Sequence, residues 1–232
     1  MELILQGLLG ALQKIASLDP DVVEAASASL VVTGSATALS VLVGVPLGAA
    51  LGLGRFRGRG LVLSLANTGM GLPPVVVGLF VVVFLWRSGP FGALDAYCTR
   101  QAMVVAQFIL AFPTVVGLTA VAMQALDPML RLQVTALGAT PVQTAWILVR
   151  EAKLPILTAA MAGFGAVISE IGASLMVGCN IKGDTRILTT AIALESSKGE
   201  FATAFALAFI LIALIFAVNA VTTWAQQRRR PL

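Results

Sequence analysis

The chain of 232 residues is strongly apolar, with 58% hydrophobic and only 11% charged residues, a net charge of +4 and no histidine. Soluble domains carry about 25% charged residues, so these side chains are too few to cover a globule in water. The lack of histidine excludes imidazole-based catalysis, His-containing zinc sites and imidazole-ligated haem, and the lack of a G-x-x-x-x-G-K-[ST] motif excludes nucleotide binding through a P-loop.

The N-terminal segment, 1–18, has the pattern of an amphipathic helix that lies on the membrane surface. It is too short and too polar to span a bilayer, and it lacks the charged start and the cleavage site of a signal peptide. The segment ends at the break Asp19–Pro20–Asp21. Its apolar face consists of Leu3, Ile4, Leu8, Leu9, Leu12 and Ile15.

Five membrane-spanning helices are predicted after this segment, which makes the chain an all-α, polytopic membrane protein. Four stretches of 26 to 30 residues contain no Asp, Glu, Lys or Arg, and a fifth, 154–181, contains only Glu170. About 20 apolar residues suffice to cross a bilayer. We therefore predict a single transmembrane domain over 19–232. The predicted spans are 28–53, 62–86, 101–126, 156–178 and 202–225.

Small residues and prolines punctuate the first three predicted spans. Gly44, Gly48 and Gly52 recur at intervals of four, a spacing that lets two helices approach closely in lipid. Their partner is either another helix of the same chain or a second subunit. Pro73–Pro74 and Pro113 are expected to break or kink their helices, which is tolerated where the backbone lines protein or a water-filled cavity.

Residues 127–155, between the third and fourth predicted spans, have a different character. Their middle, 132–149, is free of charge but too polar for a span. A pair of short helices joined at Gly138–Pro141, outside the membrane, is predicted instead. The polar and helix-breaking residues are Gln133, Thr135, Thr140, Pro141, Gln143 and Thr144.

Basic residues are concentrated on one side of the predicted spans. That side carries nine basic and two acidic residues, whereas the other side carries six basic and eight acidic residues. Basic residues are enriched on the cytoplasmic side of membrane proteins, so the pattern predicts 127–155 and the C-terminus inside and the N-terminus outside. It indicates membrane topology rather than nucleic-acid binding. The nine basic residues are Arg55, Arg57, Arg59, Arg131, Arg150, Lys153, Arg228, Arg229 and Arg230.

The segment 127–155 contains Leu-Gly-Ala-Thr-Pro at 137–141 and Lys-Leu-Pro at 153–155. It resembles the permease subunits of binding-protein-dependent ABC importers, whose signature E-A-A-x-x-x-G, nine residues, I-x-L-P forms a short helix that docks on the ATPase. The E-A-A positions hold 132–134, Leu-Gln-Val, and the Gly-to-Pro spacing is four residues longer. The alternative is an ordinary loop with a Gly–Pro turn. The resemblance implies ATPase coupling through Gln133, Ala136, Leu137, Gly138, Ala139, Thr140 and Pro141.

A second resemblance covers 169–186 and 188–195. Molybdate, tungstate and sulfate permeases share the pattern E-x-G-A, six residues, N-I-x-G-x-T, which begins here at Glu170. The stretch LTTAIALE at 188–195 is most similar to tungstate permeases, and LPPVVVG at 72–78 recurs across the oxyanion branch. Within the ABC importers, the chain therefore resembles the oxyanion permeases, and among these most closely those for tungstate.

The resemblance implies a set of partners rather than a chemistry of the chain's own. These are a second copy of the chain, two separate ABC ATPase subunits, an extracytoplasmic oxyanion-binding protein and the lipid bilayer of the cytoplasmic (inner) membrane. No cofactor, metal or nucleic acid is implied, and the chain is not expected to be an enzyme. The alternatives are a molybdate or sulfate permease, a self-sufficient secondary anion carrier or channel, and a membrane enzyme with a Ser–Lys dyad.

Glu170, Asn180 and Thr185 are the candidate pathway or gate residues. A carboxylate inside a span costs several kcal/mol unless it is paired, protonated or beside water. Glu170 is therefore either a gate or, as we favour, an acceptor of hydrogen bonds from backbone or Ser/Thr hydroxyls. In the predicted outer loop 180–186, Lys182 and Arg186 would attract an oxyanion or contact acidic lobes of a binding protein, and a solvated turn is the alternative.

The two cysteines, Cys98 and Cys179, fall on the same predicted outer side of the membrane. An oxidising compartment would permit a disulfide between them. Two cysteines alone are too few for a structural zinc site. The prediction here is two unpaired thiols, with the disulfide as the alternative.

Overall fold

Helices make up most of the chain in the computed structural model, which describes residues 2–227 except the side chain of Ala225. Within that range no β-strand occurs, which confirms the predicted all-α class. Arg228, Arg229 and Arg230 of the predicted cytoplasmic C-terminus lie outside the described residues. The α-helices are α1 Glu2–Ala16, α2 Pro20–Leu53, α3 Arg59–Met70, α4 Pro74–Leu85, α5 Arg100–Gln124, α6 Pro128–Ala136, α7 Pro141–Glu151, α8 Lys153–Ile168, α9 Gly172–Gly178, α10 Leu188–Ser197 and α11 Phe201–Gln227, with one 3₁₀ turn, Gly92–Leu94.

Helix α1 packs against α11 through its small residues. Gly7 and Ala11 are buried, and Gly7 contacts Phe205 so closely that any larger side chain would collide. The predicted apolar face points away from the bundle, since Leu9 and Leu12 are 59% and 58% exposed. Such a face suits contact with lipid. The placement of 1–18 on the membrane surface stays a prediction.

Three helices are long and apolar enough to cross a bilayer by themselves, namely α2, α5 and the stretch Phe201–Trp224 of α11. Two bent pairs also qualify, α3 with α4 at 99° and α7 with α8 at 71°. The described chain thus has between three and five candidate spans, and the predicted five is the upper limit. The predicted fourth span, 156–178, is two helices, because α8 ends at Ile168 and α9 begins at Gly172.

The prolines differ in their effect on the helices. Pro73 and Pro74 separate α3 from α4, with Pro73 at the N-cap and Pro74 as the first helical residue. Helix α5 continues through Pro113, so this proline does not break its helix, and the kink that was the other expectation stays a prediction. The proline ring packs beside Gly69, where a Cβ atom would lie 2.6 Å from the Cβ of Pro113. The close neighbouring helix accommodates the proline without a break.

The glycines of the first span bring α2 against α5 of the same chain. A Cβ atom on Gly48 would lie 2.6 Å from the carbonyl oxygen of Val116, and one on Gly52 would lie 2.6 Å from the Cβ of Met123. Side chains cannot be that close, so only glycine permits this helix separation. The intramolecular interpretation of the glycine spacing is therefore confirmed, and a role of these residues in a subunit interface is not needed to explain them.

A disulfide joins Cys98 to Cys179, with their Cα atoms 5.2 Å apart. The prediction of two unpaired thiols was wrong. The bond ties the connection before α5 to the residue that ends α9, and the Cys98 amide also donates to the Val177 carbonyl at 3.0 Å. The cysteines are 81 positions apart in the sequence, which gave no sign of their proximity. Their proximity arises from the packing of α5 against α9.

Candidate functional site

The segment between α5 and α8 forms the predicted pair of short helices. Gly138 adopts a left-handed conformation (φ +83°), which ends α6 and redirects the chain toward α7. A capping box starts α7, because the Gln143 amide donates to the Thr140 hydroxyl at 3.3 Å and the Thr140 amide donates to the Gln143 side chain at 2.8 Å. The local sequence thus fixes both helix ends.

The outward side of this segment is apolar and exposed. Leu137, Val142 and Trp146 are 87%, 79% and 63% exposed, and a hollow of about 600 Å³ lies between α7 and the end of α2. A cluster of exposed apolar side chains marks a surface for interaction with a partner. Of the predicted coupling residues, Ala139 is half-buried, and the exposed ones are Gln133, Ala136, Leu137, Gly138, Thr140 and Pro141.

The inward side of the segment is anchored to the membrane helices. Leu148 is buried in a cluster with Ala49 of α2 and Met123 of α5. Arg131 donates through Nη1 to the carbonyl oxygen of Leu53 at 2.8 Å, and this carbonyl lies at the end of α2. A force applied to α6 and α7 would therefore be transmitted directly to α2 and α5.

Glu170 caps α9 inside the bundle and is 5% exposed. Its Oε1 accepts from the Ala173 amide at 2.6 Å, and its Oε2 accepts from the amide and the hydroxyl of Ser174 at 3.1 and 2.9 Å. A carboxylate at a helix N-terminus accepts hydrogen bonds from otherwise unpaired N–H groups, and its negative charge interacts favourably with the positive end of the helix dipole. These contacts are those expected if Glu170 is an acceptor of hydrogen bonds with a structural role. A gating role of Glu170 stays a prediction.

The polar network around Glu170 extends to α5 and α10. Gln107, which is fully buried, donates through Nε2 to the Ser174 hydroxyl at 3.1 Å, and the Thr189 hydroxyl donates to the Glu170 carbonyl at 3.0 Å. The Gln107 Oε1 has no hydrogen-bond partner among the described residues. Gln107 was missed in the sequence analysis, although a glutamine within the charge-free stretch 101–126 was a visible signal.

Two broken elements meet beside this network. A Cβ atom on Gly172 would lie 2.7 Å from Cγ2 of Val75, and one on Gly78 would lie 2.8 Å from Cα of Ala173. The first turns of α4 and α9 are therefore in direct contact. The α3–α4 break lies near the middle of the charge-free stretch 60–86, yet residues in the break and in the adjoining helix ends are exposed. These residues are Asn67, Thr68, Gly71, Leu72, Pro73 and Pro74.

The loop 180–186 is a tightly bonded turn. The hydroxyl of Thr185, which is fully buried, donates to the Gly178 carbonyl and accepts from the Ile181 amide at 2.9 Å. Asn180 accepts from Arg186 through its side chain and its carbonyl oxygen, both at 3.3 Å. Both candidate residues thus support the turn.

The charges of this turn are paired across elements. The Lys182 Nζ lies 2.7 Å from Oδ2 of Asp21, and the Arg100 Nε lies 3.2 Å from Oδ1 of Asp184. Both pairs are largely exposed, so each contributes at most about 1 kcal/mol. No group of three or more Cys, Asp or Glu residues within 2–227 is arranged to hold a metal ion.

Comparison with known proteins matches this chain to permease components of transport systems. Residues 44–231 match the family model of the binding-protein-dependent transport system inner membrane component. The chain is 44% identical over 197 residues to a probable anion ABC transporter permease protein of Haloferax volcanii, which covers 83% of this chain and 85% of that protein. It is 37% identical over 221 residues to the tungstate uptake system permease protein of Peptoclostridium acidaminophilum, covering 95% and 97%.

A solved structure shares the fold. One chain of the MetNI methionine ABC transporter, in inward-facing conformations, matches with a TM-score of 0.74 over 90% of this chain and 96% of that chain, at 17% identity. At this identity the likeness shows the fold alone. The sequence matches carry the family assignment, and they confirm the resemblance of 127–155 and 169–195 to ABC importer permeases. The chain therefore belongs to the family of binding-protein-dependent inner-membrane transport components, the multi-pass permease subunits of ABC transporters.

Proposed function

We propose that this chain is the membrane-spanning subunit of an ABC importer that carries tungstate into the cell. The observation that carries the proposal is the 37% identity to a tungstate uptake permease along nearly the whole of both chains. Molybdate is the second candidate, because both anions are tetrahedral and doubly charged and the pattern at 170–185 is common to both groups of permeases.

The surface formed by Leu137, Val142 and Trp146 is the docking site for the ATPase. Three apolar side chains exposed on the polar segment 127–155 are costly in water and favour burial against a partner. The anchoring of Leu148 and Arg131 on α2 and α5 supports a mechanical role, since movement of the ATPase would reach the membrane helices through these contacts.

A second copy of the chain completes the translocation pathway. Asn67, Thr68 and the backbone of the α3–α4 break are exposed near the middle of an apolar stretch. Exposed backbone polar groups are not tolerated against lipid, but they are tolerated against protein or a water-filled cavity. The break therefore faces the other copy and the pathway between the two copies.

The coupling surface lies in the cytoplasm, and the loop 180–186 lies outside. The excess of basic residues around 127–155 supports this orientation. The disulfide between Cys98 and Cys179 supports it independently, because disulfides persist in oxidising compartments and are rare in the cytoplasm. The outer loops then receive the oxyanion-binding protein.

Selection of the anion belongs to the binding protein rather than to this chain. The charge-free stretches contain no Lys or Arg. The Glu170 carboxylate, which would repel an oxyanion, satisfies N–H groups of α9 instead of facing the substrate. Serine and threonine hydroxyls and helix ends bind anions weakly, and weak binding favours release of the ion to the cytoplasm.

Reconstitution tests this function. The permease, its ATPase and its binding protein are placed in liposomes, and ATP hydrolysis is measured with the binding protein empty or loaded with tungstate, molybdate or sulfate. We expect the tungstate-loaded protein to stimulate hydrolysis most, and calorimetry on the permease alone to give weak tungstate binding. Stimulation only by an amino-acid-loaded binding protein would refute the oxyanion assignment, and uptake without ATP would indicate a secondary carrier.

A further inference from the structure

We propose that the crevice between the adjoining ends of α2, α3 and α5 binds an anionic phospholipid of the cytoplasmic leaflet, in the orientation proposed above. The first observation is a cleft of about 910 Å³ at the ends of these helices. Arg55, Arg59 and Arg131 line it, and Asp127 is the only carboxylate among the described residues that do so. The cleft is therefore cationic, and its position at the end of the spans is that of lipid phosphates.

The three guanidinium groups that line the cleft have N–H donors that are not engaged in hydrogen bonds within the described part of the chain. Arg59 donates through Nε to the Leu51 carbonyl at 2.7 Å, and Arg131 donates through Nη1 to the Leu53 carbonyl at 2.8 Å. Each guanidinium carries five N–H donors, so most remain free for an anion. No ion pair within residues 2–227 involves these arginines, and the side chain of Asp127 is engaged with the Met129 amide at 2.8 Å.

The second observation is an apolar cavity of about 480 Å³ lined by the same three helices. All of its lining residues are apolar, and Phe56, half-exposed, lines it just beyond the end of α2. A free phosphate or oxyanion would leave such a cavity empty, whereas an acyl chain fills it. Among the residues that line it are Leu47, Leu51, Val62, Leu65 and Phe112.

The two cavities follow one another along the helix axes in the order that a lipid requires. On α5 the apolar cavity reaches Val116 and the cationic cleft begins at Met123, which corresponds to a rise of about 10 Å. On α3 the order is the same, with Arg59 in the cleft and Val62 in the apolar cavity. A phosphate in the cleft would therefore have its acyl chain directed into the bilayer beside α3.

Native mass spectrometry on the purified full chain, with phosphatidylglycerol or phosphatidylcholine added, tests this site. Arg55→Gln removes a cleft arginine that makes no helix-capping hydrogen bond, and Arg57→Gln removes an exposed arginine that does not line the cleft. We expect Arg55→Gln to weaken retention of phosphatidylglycerol about fivefold and Arg57→Gln to leave it nearly unchanged. Phosphatidylcholine retention should be weak in all variants.

The acyl arm of the site is tested by filling the apolar cavity. Ala66→Phe places a ring in the cavity, and Leu61→Phe places one on an exposed position of the same helix outside it. We expect only Ala66→Phe to lower phosphatidylglycerol retention, with both variants melting near the wild-type temperature. Equal losses in Arg55→Gln and Arg57→Gln would overturn the proposal. It would also be overturned if inorganic phosphate bound as well as the lipid did, or if Arg55→Gln changed only the fraction of dimer.

Discussion

Glu170 illustrates how a charged residue can be accommodated inside an apolar bundle. Its two carboxylate oxygens accept three hydrogen bonds from Ala173 and Ser174, all within the turn that follows. This type of contact was expected from the sequence because the penalty for an unpaired carboxylate in a span is large. The donors could not be identified from the sequence, since the N–H groups become available only because α8 and α9 are separate helices.

Substitutions at Glu170 separate a structural role from a gating role. Glu170→Gln keeps one acceptor oxygen, so we expect a loss of about 1 kcal/mol in stability and most of the transport activity retained. Glu170→Leu leaves both amides of α9 unsatisfied, and a loss of about 3 kcal/mol is expected. Thermal unfolding in detergent, together with transport assays, checks both. Loss of transport in Glu170→Gln at an unchanged melting temperature would instead indicate a gate.

Asp19 gives the junction of α1 and α2 a pH dependence. A hydrogen bond from Lys14, at 2.9 Å, lowers the pKa of the Asp19 carboxyl below its ordinary value, and the amides of Val22 and Asp21 add to this effect. A lowered pKa means that the contribution to stability is complete at neutral pH and is lost as pH falls below about 4.

Two substitutions at Asp19 test this contribution. Asp19→Asn keeps an N-cap oxygen but removes the charge, so its melting temperature should approach that of the wild type as the pH is lowered from 7 to 3. Asp19→Ala removes the cap as well and should cost about 1 kcal/mol at pH 7. A constant difference between wild type and Asp19→Asn over this pH range would contradict the assignment.

Among the elements, α6 and α7 were predicted most fully because their ends are encoded locally. Gly138, Thr140 and Gln143 fix the turn and the capping box without help from the rest of the chain. Pro73–Pro74 predicted the α3–α4 break for the same reason. The break at 169–171 contains neither proline nor glycine, and its Glu170 side chain accepts hydrogen bonds from amides in the first turn of α9. Sequence patterns therefore predicted a continuous helix there.

Gly138 offers a test of the coupling segment as an element. A Cβ atom at this position would meet no atom within 4 Å, so the added side chain points outward and the main strain is the left-handed backbone. Asn and Asp both tolerate that conformation. We expect Gly138→Asp to lose co-purification of the ATPase, whereas Gly138→Asn, of equal size, retains most of it. Equal behaviour of both variants would favour an ordinary loop at this position.

For the whole molecule, the distribution of charged residues along the chain predicted more of the fold than any single residue did. The class, the family and most helix positions follow from the charge-free stretches and the motifs at 127–155 and 169–195. The pairing of Cys98 with Cys179 and the contact of α4 with α9 did not follow, because both bring together residues that are far apart in sequence. Close approach through Gly48 and Gly52 was predictable as a spacing, but the identity of the partner helix was not.

Orientation is tested by labelling single cysteines in whole cells with a membrane-impermeant maleimide. The disulfide leaves Cys98 and Cys179 without a free thiol, so both can remain in place. In cells that express the permease without its ATPase, Asp184→Cys should be labelled while the cells are intact, and Val142→Cys, at a position that is 79% exposed, only after the membrane is permeabilised. Labelling of the Val142 position in intact cells would invert the proposed topology.

The disulfide also changes the covalent connectivity of the chain. Because it joins residues 98 and 179, it closes a ring that contains α5, α8 and the whole segment 127–155. A protease that cuts the exposed turn near Gly138 would therefore open the ring without separating the two fragments. On a denaturing gel, the nicked chain should run as one species until a reductant is added, and only then as two.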